Sequence, residues 1–134
     1  MKNLKIISSL CLLFLTMACS DSDDSVVNYG SDLNGIWKLT KSSGGIAGAI
    51  INYPEGTEVW TFNSANQTLN VVSNSNGPLT TGNYTYSFVA SDVPDFCPLT
   101  LLIDGNNFGC YSISNGVLSI NQEFADGLNH EFVK

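Results

Sequence analysis

From residue 33 to the end of the chain, short runs rich in aromatic and β-branched residues alternate with clusters of Gly, Asn, Asp and Ser. Runs of this length between turn-forming residues are typical of β-strands. No long stretch has apolar residues at helical spacing, although the segment 44–52 fits a loop, a short strand or one turn of helix. The predicted strands are 35–41, 57–63, 68–72, 82–90, 98–103, 107–113, 116–121 and 128–133.

Alternation within these runs predicts which side chains are buried, because successive residues of a strand point to opposite faces. In the first run Trp37 shares a face with Leu39, and Lys38 lies on the other face. The other residues predicted on apolar faces are Trp60, Phe62, Tyr84, Tyr86, Phe88, Leu118, Ile120, Leu128, His130 and Phe132. Antiparallel strands with one apolar face close into barrels or sandwiches, which removes exposed edges. The eight runs therefore predict an all-β fold, a small antiparallel up-and-down β-barrel.

The beginning of the chain has the layout of a secretory signal peptide. Lys2 and Lys5 precede an apolar run at 6–15, and the small residue Ala18 stands directly before Cys19. This order of positive charge, short apolar centre and small residue is typical of export and cleavage. The run is shorter than the roughly 18 apolar residues that a membrane-spanning helix needs. We therefore expect the residues before Cys19 to be removed.

The sequence LTMAC, residues 15–19, resembles the lipobox of lipoproteins from the Bacteroidetes group of bacteria. The resemblance implies that Cys19 carries fatty acyl chains such as palmitate. It also implies an outer-membrane lipoprotein of the cell envelope, exposed at the cell surface. More than one acyl chain makes membrane attachment stable. The alternative is a plain secreted protein that is cleaved nearby, with Cys19 incidental.

The acidic, serine-rich residues 20–24 are expected to form a flexible tether, because they have little apolar area to bury. They also resemble the acidic export signal of surface lipoproteins in the same bacteria, and a plain spacer is the alternative. The chain thus divides into a signal peptide at 1–18, a lipidated tether at 19–31 and a barrel domain at 32–134.

The charge of the predicted mature chain excludes one class of partner. Without the signal peptide, three lysines and no arginine stand against twelve acidic residues, a formal charge of −9. A phosphate backbone is bound by clustered cations, so no nucleic-acid partner is expected. The negative charge instead favours solubility and repulsion from other anionic surfaces.

Cys97 and Cys110 remain as a pair once Cys11 leaves with the signal peptide and Cys19 is acylated. In an oxidising compartment such a pair is expected to form a disulfide, worth about 3 kcal/mol in the chain-entropy model. Two free thiols are the alternative. No metal site is expected, because two thiols and the single histidine, His130, do not complete a tetrahedral ligand set.

In LNGIWKLT at 33–40, Gly35 and Trp37 form a Gly-x-Trp motif, and EVWTFN and HEFVK are further strand segments of the domain. The motif resembles the opening of the lipocalin-like domains of bacterial lipoproteins, and the two segments resemble the second and last strands of that family. The resemblance implies that Trp37 packs across the closed end, the floor, of the barrel. In that family an arginine of the last strand covers this tryptophan. Here only Lys134 is available, and lysine is a poorer stacking partner.

Candidate chemistry is sparse. His130 shares a strand face with Leu128 and Phe132, so it is either a hydrogen-bonded histidine near one end of the barrel or a polar anchor for a ligand. Glu55 and Glu58 lie beside turn residues, where solvated surface charge is the ordinary explanation. No catalytic site and no cofactor are expected, since no nucleophile has a base and an orienting group in a recognisable motif. The candidate cavity residues are Trp60, Phe62, Tyr84, Tyr86, Phe88 and His130.

Two functions from different classes follow. In the first, a lipid-anchored, lipocalin-like barrel binds a small apolar ligand in its interior. In the second, side chains fill the barrel, and its acidic outer surface docks to or inhibits another protein. The packing of the interior distinguishes them, because a ligand needs an enclosed space of its own.

Overall fold

The computed structural model describes residues 30–122 and 126–134, which form a 3-10 helix, Ser31–Leu33, followed by nine strands. The strands are β1 Gly35–Gly44, β2 Ala49–Asn52, β3 Glu58–Asn63, β4 Thr68–Ser73, β5 Gly82–Ala90, β6 Leu99–Ile103, β7 Asn106–Ser114, β8 Val117–Asn121 and β9 Leu128–Val133. The all-β prediction is confirmed, and the ambiguous segment supplies β2. The predicted signal peptide and the predicted lipid attachment at Cys19 lie outside the described residues. No helix of the described part is long and apolar enough to cross a membrane.

The sheet closes into a barrel because β1 pairs along both of its edges. Lys38 lies opposite Val59 of β3 on one edge and opposite Val133 of β9 on the other. From β3 to β9 each strand pairs with the next one in sequence, so β1 and β3–β9 form a closed, eight-stranded, up-and-down barrel. Short turns suffice for such antiparallel neighbours. β2 pairs with the last part of β1, on the same edge as β3, and forms a hairpin with it.

A β-bulge at Thr40 sets which residues of β1 face the interior. Leu39 pairs with Phe132 and Lys41 pairs with Glu131, so Thr40 is an extra residue on this strand. Strict alternation from Leu39 would turn Lys41 inward. The bulge shifts the alternation, as bulges do, and Lys41 lies outside in an ion pair with Glu131 at 2.9 Å.

The 3-10 helix covers the floor of the barrel, the end at which β1 begins. Trp37 is buried there, and its indole N–H donates to the Leu33 carbonyl at 2.7 Å. Tyr111 reaches the same helix from β7, and its hydroxyl donates to Asp32 at 2.9 Å. Lys134 Nζ lies 4.9 Å from the centroid of the Trp37 ring, within the range of a cation–π contact. The last residue of the chain thus stacks where the resemblance places an arginine.

Replacing Trp37 by Ala is expected to lower the free energy of unfolding by about 3–5 kcal/mol, the usual cost of removing a large aromatic side chain from a core. This is a large part of the roughly 5–15 kcal/mol that stabilises a typical domain. Ile36→Ala is the matched control, because Ile36 precedes Trp37 on β1 and is 55% exposed. Chemical denaturation measures both variants. Equal stability of the two would contradict the position of Trp37 in the floor.

Candidate functional site

The interior of the barrel is filled around Trp60. Its ring centroid lies 4.6 Å from that of Phe132, 5.6 Å from that of Phe108 and 6.0 Å from that of Phe62. Tyr86 meets Phe62 edge-on at 5.1 Å. These separations are those of favourable aromatic pairs, and Trp60 and Phe62 are both buried. The central residues of the predicted ligand cavity therefore pack against one another.

The two outer candidates on β5, Phe88 and Tyr84, are half-buried. Phe88 continues the aromatic cluster, with its ring centroid 4.9 Å from that of Tyr111. The Tyr84 hydroxyl donates to the Thr80 carbonyl at 2.8 Å. The polar group of Tyr84 therefore holds the connection between β4 and β5.

His130 is a buried, hydrogen-bonded histidine near the upper end of the barrel, the end opposite the floor. Its Nδ1 lies 2.7 Å from Ser42 Oγ, and the Ser42 hydroxyl is also 3.4 Å from that of Tyr53. Burial lowers the pKa of His130 to about 4, so the ring is neutral at pH 7. A serine beside a histidine resembles a nucleophile with its base. Both side chains are enclosed, however, and the pair joins β1 to β9 rather than facing solvent.

Glu58 corrects the prediction of a solvated surface carboxylate, because it is 0% exposed. Its Oε1 accepts a hydrogen bond from the Trp60 indole N–H at 2.8 Å, and its Oε2 accepts from the hydroxyls of Ser73 at 3.0 Å and Ser75 at 3.2 Å. A Cβ added to Gly77 would overlap the carboxylate. The connection 74–81 thus lies directly on Glu58 and covers this part of the upper end.

The sequence did contain the signal for a buried Glu58. Along β3, Glu58 has the same alternation as Trp60 and Phe62, so a strand that buries these aromatics also turns Glu58 inward. The turn residues beside Glu58 favoured a surface position instead. The serine hydroxyls could not be predicted from this strand, because they belong to β4 and the connection that follows it.

A groove lies on the outer wall of the barrel, and none of the six predicted cavity residues lines it. Its base is a row of cross-strand neighbours on β5 to β8, namely Val89, Thr100, Cys110 and Asn121. These residues alternate with core residues and so point outward. The space measures about 690 Å³. We call it the outer-wall groove.

The predicted disulfide is present and forms one side of the outer-wall groove. Cys97 bonds to Cys110, which fixes the connection 91–98 against the outside of β7. Within this connection the Val93 carbonyl accepts from the amides of Phe96 at 3.1 Å and Cys97 at 2.9 Å, forming a compact turn. The other side contains Gln122, whose Nε2 donates to the Phe108 carbonyl at 2.6 Å.

The rim of the outer-wall groove is apolar and acidic. The lining residues Val89 and Val93 are each nearly half exposed, and Phe96, on the same connection as Val93, is 82% exposed. Asp92 lines the groove, Asp95 lies on the same connection, and no lysine or arginine is among the lining residues.

No model of a known protein family, no curated protein and no solved structure matches this chain.

The low pKa of His130 predicts a loss of stability in acid. The unfolded chain takes up a proton at the ordinary pKa of 6.5, whereas the folded protein does so only at about 4. The contribution of His130 to the free energy of unfolding is therefore complete above pH 6.5. It is lost as the pH falls towards 4, which lowers the free energy of unfolding by up to about 3 kcal/mol. Denaturation of wild type and of His130→Gln between these pH values measures it. The two proteins share every other ionisable group, so the variant should lose less stability than wild type as the pH falls towards 4. Equal losses in both proteins would refute the low pKa of His130.

Proposed function

We propose that this protein is a lipid-anchored protein of the cell envelope whose filled barrel is a rigid docking module for another protein. The partner binds the outer-wall groove with a segment that carries apolar side chains and positive charge. The observation that carries the proposal is the groove itself, which a disulfide builds on the outside of a barrel whose centre is occupied by aromatic side chains.

The shape of the outer-wall groove supports binding. Its volume of about 690 Å³ lies within the range of binding pockets. The disulfide and the turn at Val93 hold the connection 91–98 before a partner arrives, which reduces the entropy lost on association. Phe96 lies exposed on the same connection, and aromatic residues are enriched at protein interfaces.

The charges around the groove support a basic partner. Lys38 is paired with Glu55 and Lys41 with Glu131, and Lys134 lies over the floor. These are all the lysines of the predicted mature chain, and none of them lies in the groove. The negative charges of Asp92, which lines the groove, and of Asp95, on the same connection, are therefore available to a basic partner. Complementary charge speeds association and fixes the orientation of a partner.

Storage of a small apolar ligand inside the barrel has less support. A ligand would have to displace Trp60, which contacts three other rings and donates a hydrogen bond to Glu58. Interiors packed in this way resist the insertion of further volume.

Membrane attachment is tested at Cys19. Cys19→Ser removes the thiol that the lipobox resemblance assigns to acylation, so the protein should move from the membrane fraction to the soluble exported fraction. Cell fractionation measures this, and mass spectrometry of the mature wild-type amino end identifies the acyl chains. A wild-type amino end without lipid on Cys19 would remove the anchoring part of the proposal.

Docking is tested by photo-crosslinking in the native cell. A photoreactive residue at Val93, in the outer-wall groove, should give one discrete adduct with another protein. The same residue at Val72, a comparably exposed valine on β4, should not. The double variant Asp92→Asn and Asp95→Asn should weaken the Val93 adduct several-fold, because it removes the charge that attracts the partner. Equal adducts at Val93 and Val72, or none at either position, would overturn the proposal.

A further inference from the structure

The sequence contains three Asn-Gly pairs, which begin at Asn34, Asn76 and Asn115. An asparagine before a glycine can react with its own backbone, because glycine has no side chain to hinder the approach of its amide nitrogen to the asparagine side chain. The reaction needs an asparagine side chain that is free to rotate and a following amide that no hydrogen bond holds. The fold determines which of the three pairs meets both conditions.

The pair that begins at Asn34 is held by its side chain and by strand pairing. Asn34 Oδ1 accepts a hydrogen bond from the Ser64 amide at 3.0 Å. Gly35 is the first residue of β1 and pairs with Phe62 of β3. The asparagine side chain would have to leave its partner, and the start of β1 would have to open, before the two groups could meet.

The pair that begins at Asn115 is held by a tight turn. Asn115 and Gly116 form the two-residue connection between β7 and β8, with φ angles of 52° and 77°. Positive φ at both central residues is typical of the type I′ turn, whose twist matches that of a hairpin. Ser114 and Val117 pair directly on either side of the turn. The backbone of this pair is therefore fixed at both ends.

The Asn76-Gly77 pair has none of these restraints. It lies in the connection 74–81, and Asn76 is exposed. Neither the Asn76 side chain nor the Gly77 amide has a hydrogen-bond partner among the described residues. Ser75, before the pair, is hydrogen-bonded, and Leu79, after it, packs against the core. The pair thus lies between two anchored residues without being anchored itself.

We propose that Asn76 is a self-modification site, at which the side-chain amide is converted into a carboxylate. The Gly77 amide nitrogen loses its proton and attacks the side-chain carbonyl carbon, Cγ, of Asn76. The bond between Cγ and the side-chain nitrogen breaks, and that nitrogen takes up the proton and leaves as ammonia, which closes a succinimide ring. Water then opens the ring at either carbonyl and gives aspartate or isoaspartate at position 76. The reaction consumes water and no other reagent.

The modification changes the connection that covers the upper end of the barrel. From residue 59 to residue 91 the sequence contains no charged residue, so the new carboxylate places a charge in an otherwise neutral stretch. Gly77 lies so close to Glu58 that an added Cβ would overlap the carboxylate. Isoaspartate adds a methylene group to the backbone beside this contact, and a closely packed contact has no room for it. The connection 74–81 therefore loosens over Glu58 as the molecule ages.

The site is tested on the mature chain from residue 19, kept soluble by Cys19→Ser, during incubation at neutral pH in water labelled with heavy oxygen. Peptide mass spectrometry after digestion in mild acid measures the three asparagines separately. Asn76 should convert at least tenfold faster than Asn34 and Asn115, because a hydrogen bond or a turn must first open in the other two pairs. The product should contain heavy oxygen and include isoaspartate. In denaturant the three pairs should convert at similar rates, because only the fold distinguishes them.

Asn76→Gln is the matched control. The longer side chain keeps the amide at an exposed position but does not close the same ring, so this variant should fold as wild type and stay unmodified. The modified wild-type protein is separated by anion exchange, because it carries an additional negative charge. Hydrogen exchange then compares the two proteins at the Asn74 amide, which donates to the Thr57 carbonyl at 2.7 Å. This amide should exchange several-fold faster in the modified protein, because local opening sets the exchange rate.

Two outcomes would overturn the site itself. They are an Asn76 that stays unmodified in the native protein, and conversion of all three asparagines at equal rates in the native protein. A modified protein whose Asn74 amide exchanges as slowly as that of Asn76→Gln would overturn the loosening of the connection 74–81. None of these outcomes bears on the crosslink at Val93, so this proposal and the docking proposal fail separately.

Discussion

The indole N–H of Trp60 donates to the Glu58 carboxylate inside the barrel, at 2.8 Å. Both groups lose water when the barrel closes, and each would cost free energy if it were left unpaired. The second carboxylate oxygen accepts from two serine hydroxyls, on β4 and on the connection that follows it. That requirement fixes the connection 74–81 over the upper end, and Gly77 allows its backbone to approach the carboxylate. The hydrogen bonds of Glu58 therefore link the packed interior around Trp60 to the connection that covers its upper end.

Because aromatic side chains occupy the centre of the barrel, the proposed recognition of a partner takes place on its outside. The disulfide between Cys97 and Cys110 does not join two core positions. It joins the connection 91–98 to the outward face of β7. The connection 91–98 is thereby raised above the sheet, and the outer-wall groove is the space beside it. The groove therefore depends on a covalent bond that does not contribute to closure of the barrel.

Much of the fold was predictable because β-strands impose a period of two residues. Alternation correctly placed Trp37 and Trp60 inside, and the turn residues bounded the eight barrel strands. The bulge at Thr40 was not predictable, since a change of alternation depends on the pairing with β9. Glu58 was misjudged because its partners come from another strand. The outer-wall groove could not be predicted, because the local sequence pattern does not show that the connection 91–98 folds back against the outer wall.

The barrel places the proposed anchor and the proposed docking site on different parts of its surface. The described part of the chain begins at the floor, with the 3-10 helix, so the proposed membrane tether would precede the barrel at that end. The outer-wall groove lies instead along the outward faces of β5 to β8. A core packed around Trp60 deforms little, since densely packed interiors have low compressibility. The proposed anchoring and the proposed docking therefore use different parts of a rigid surface.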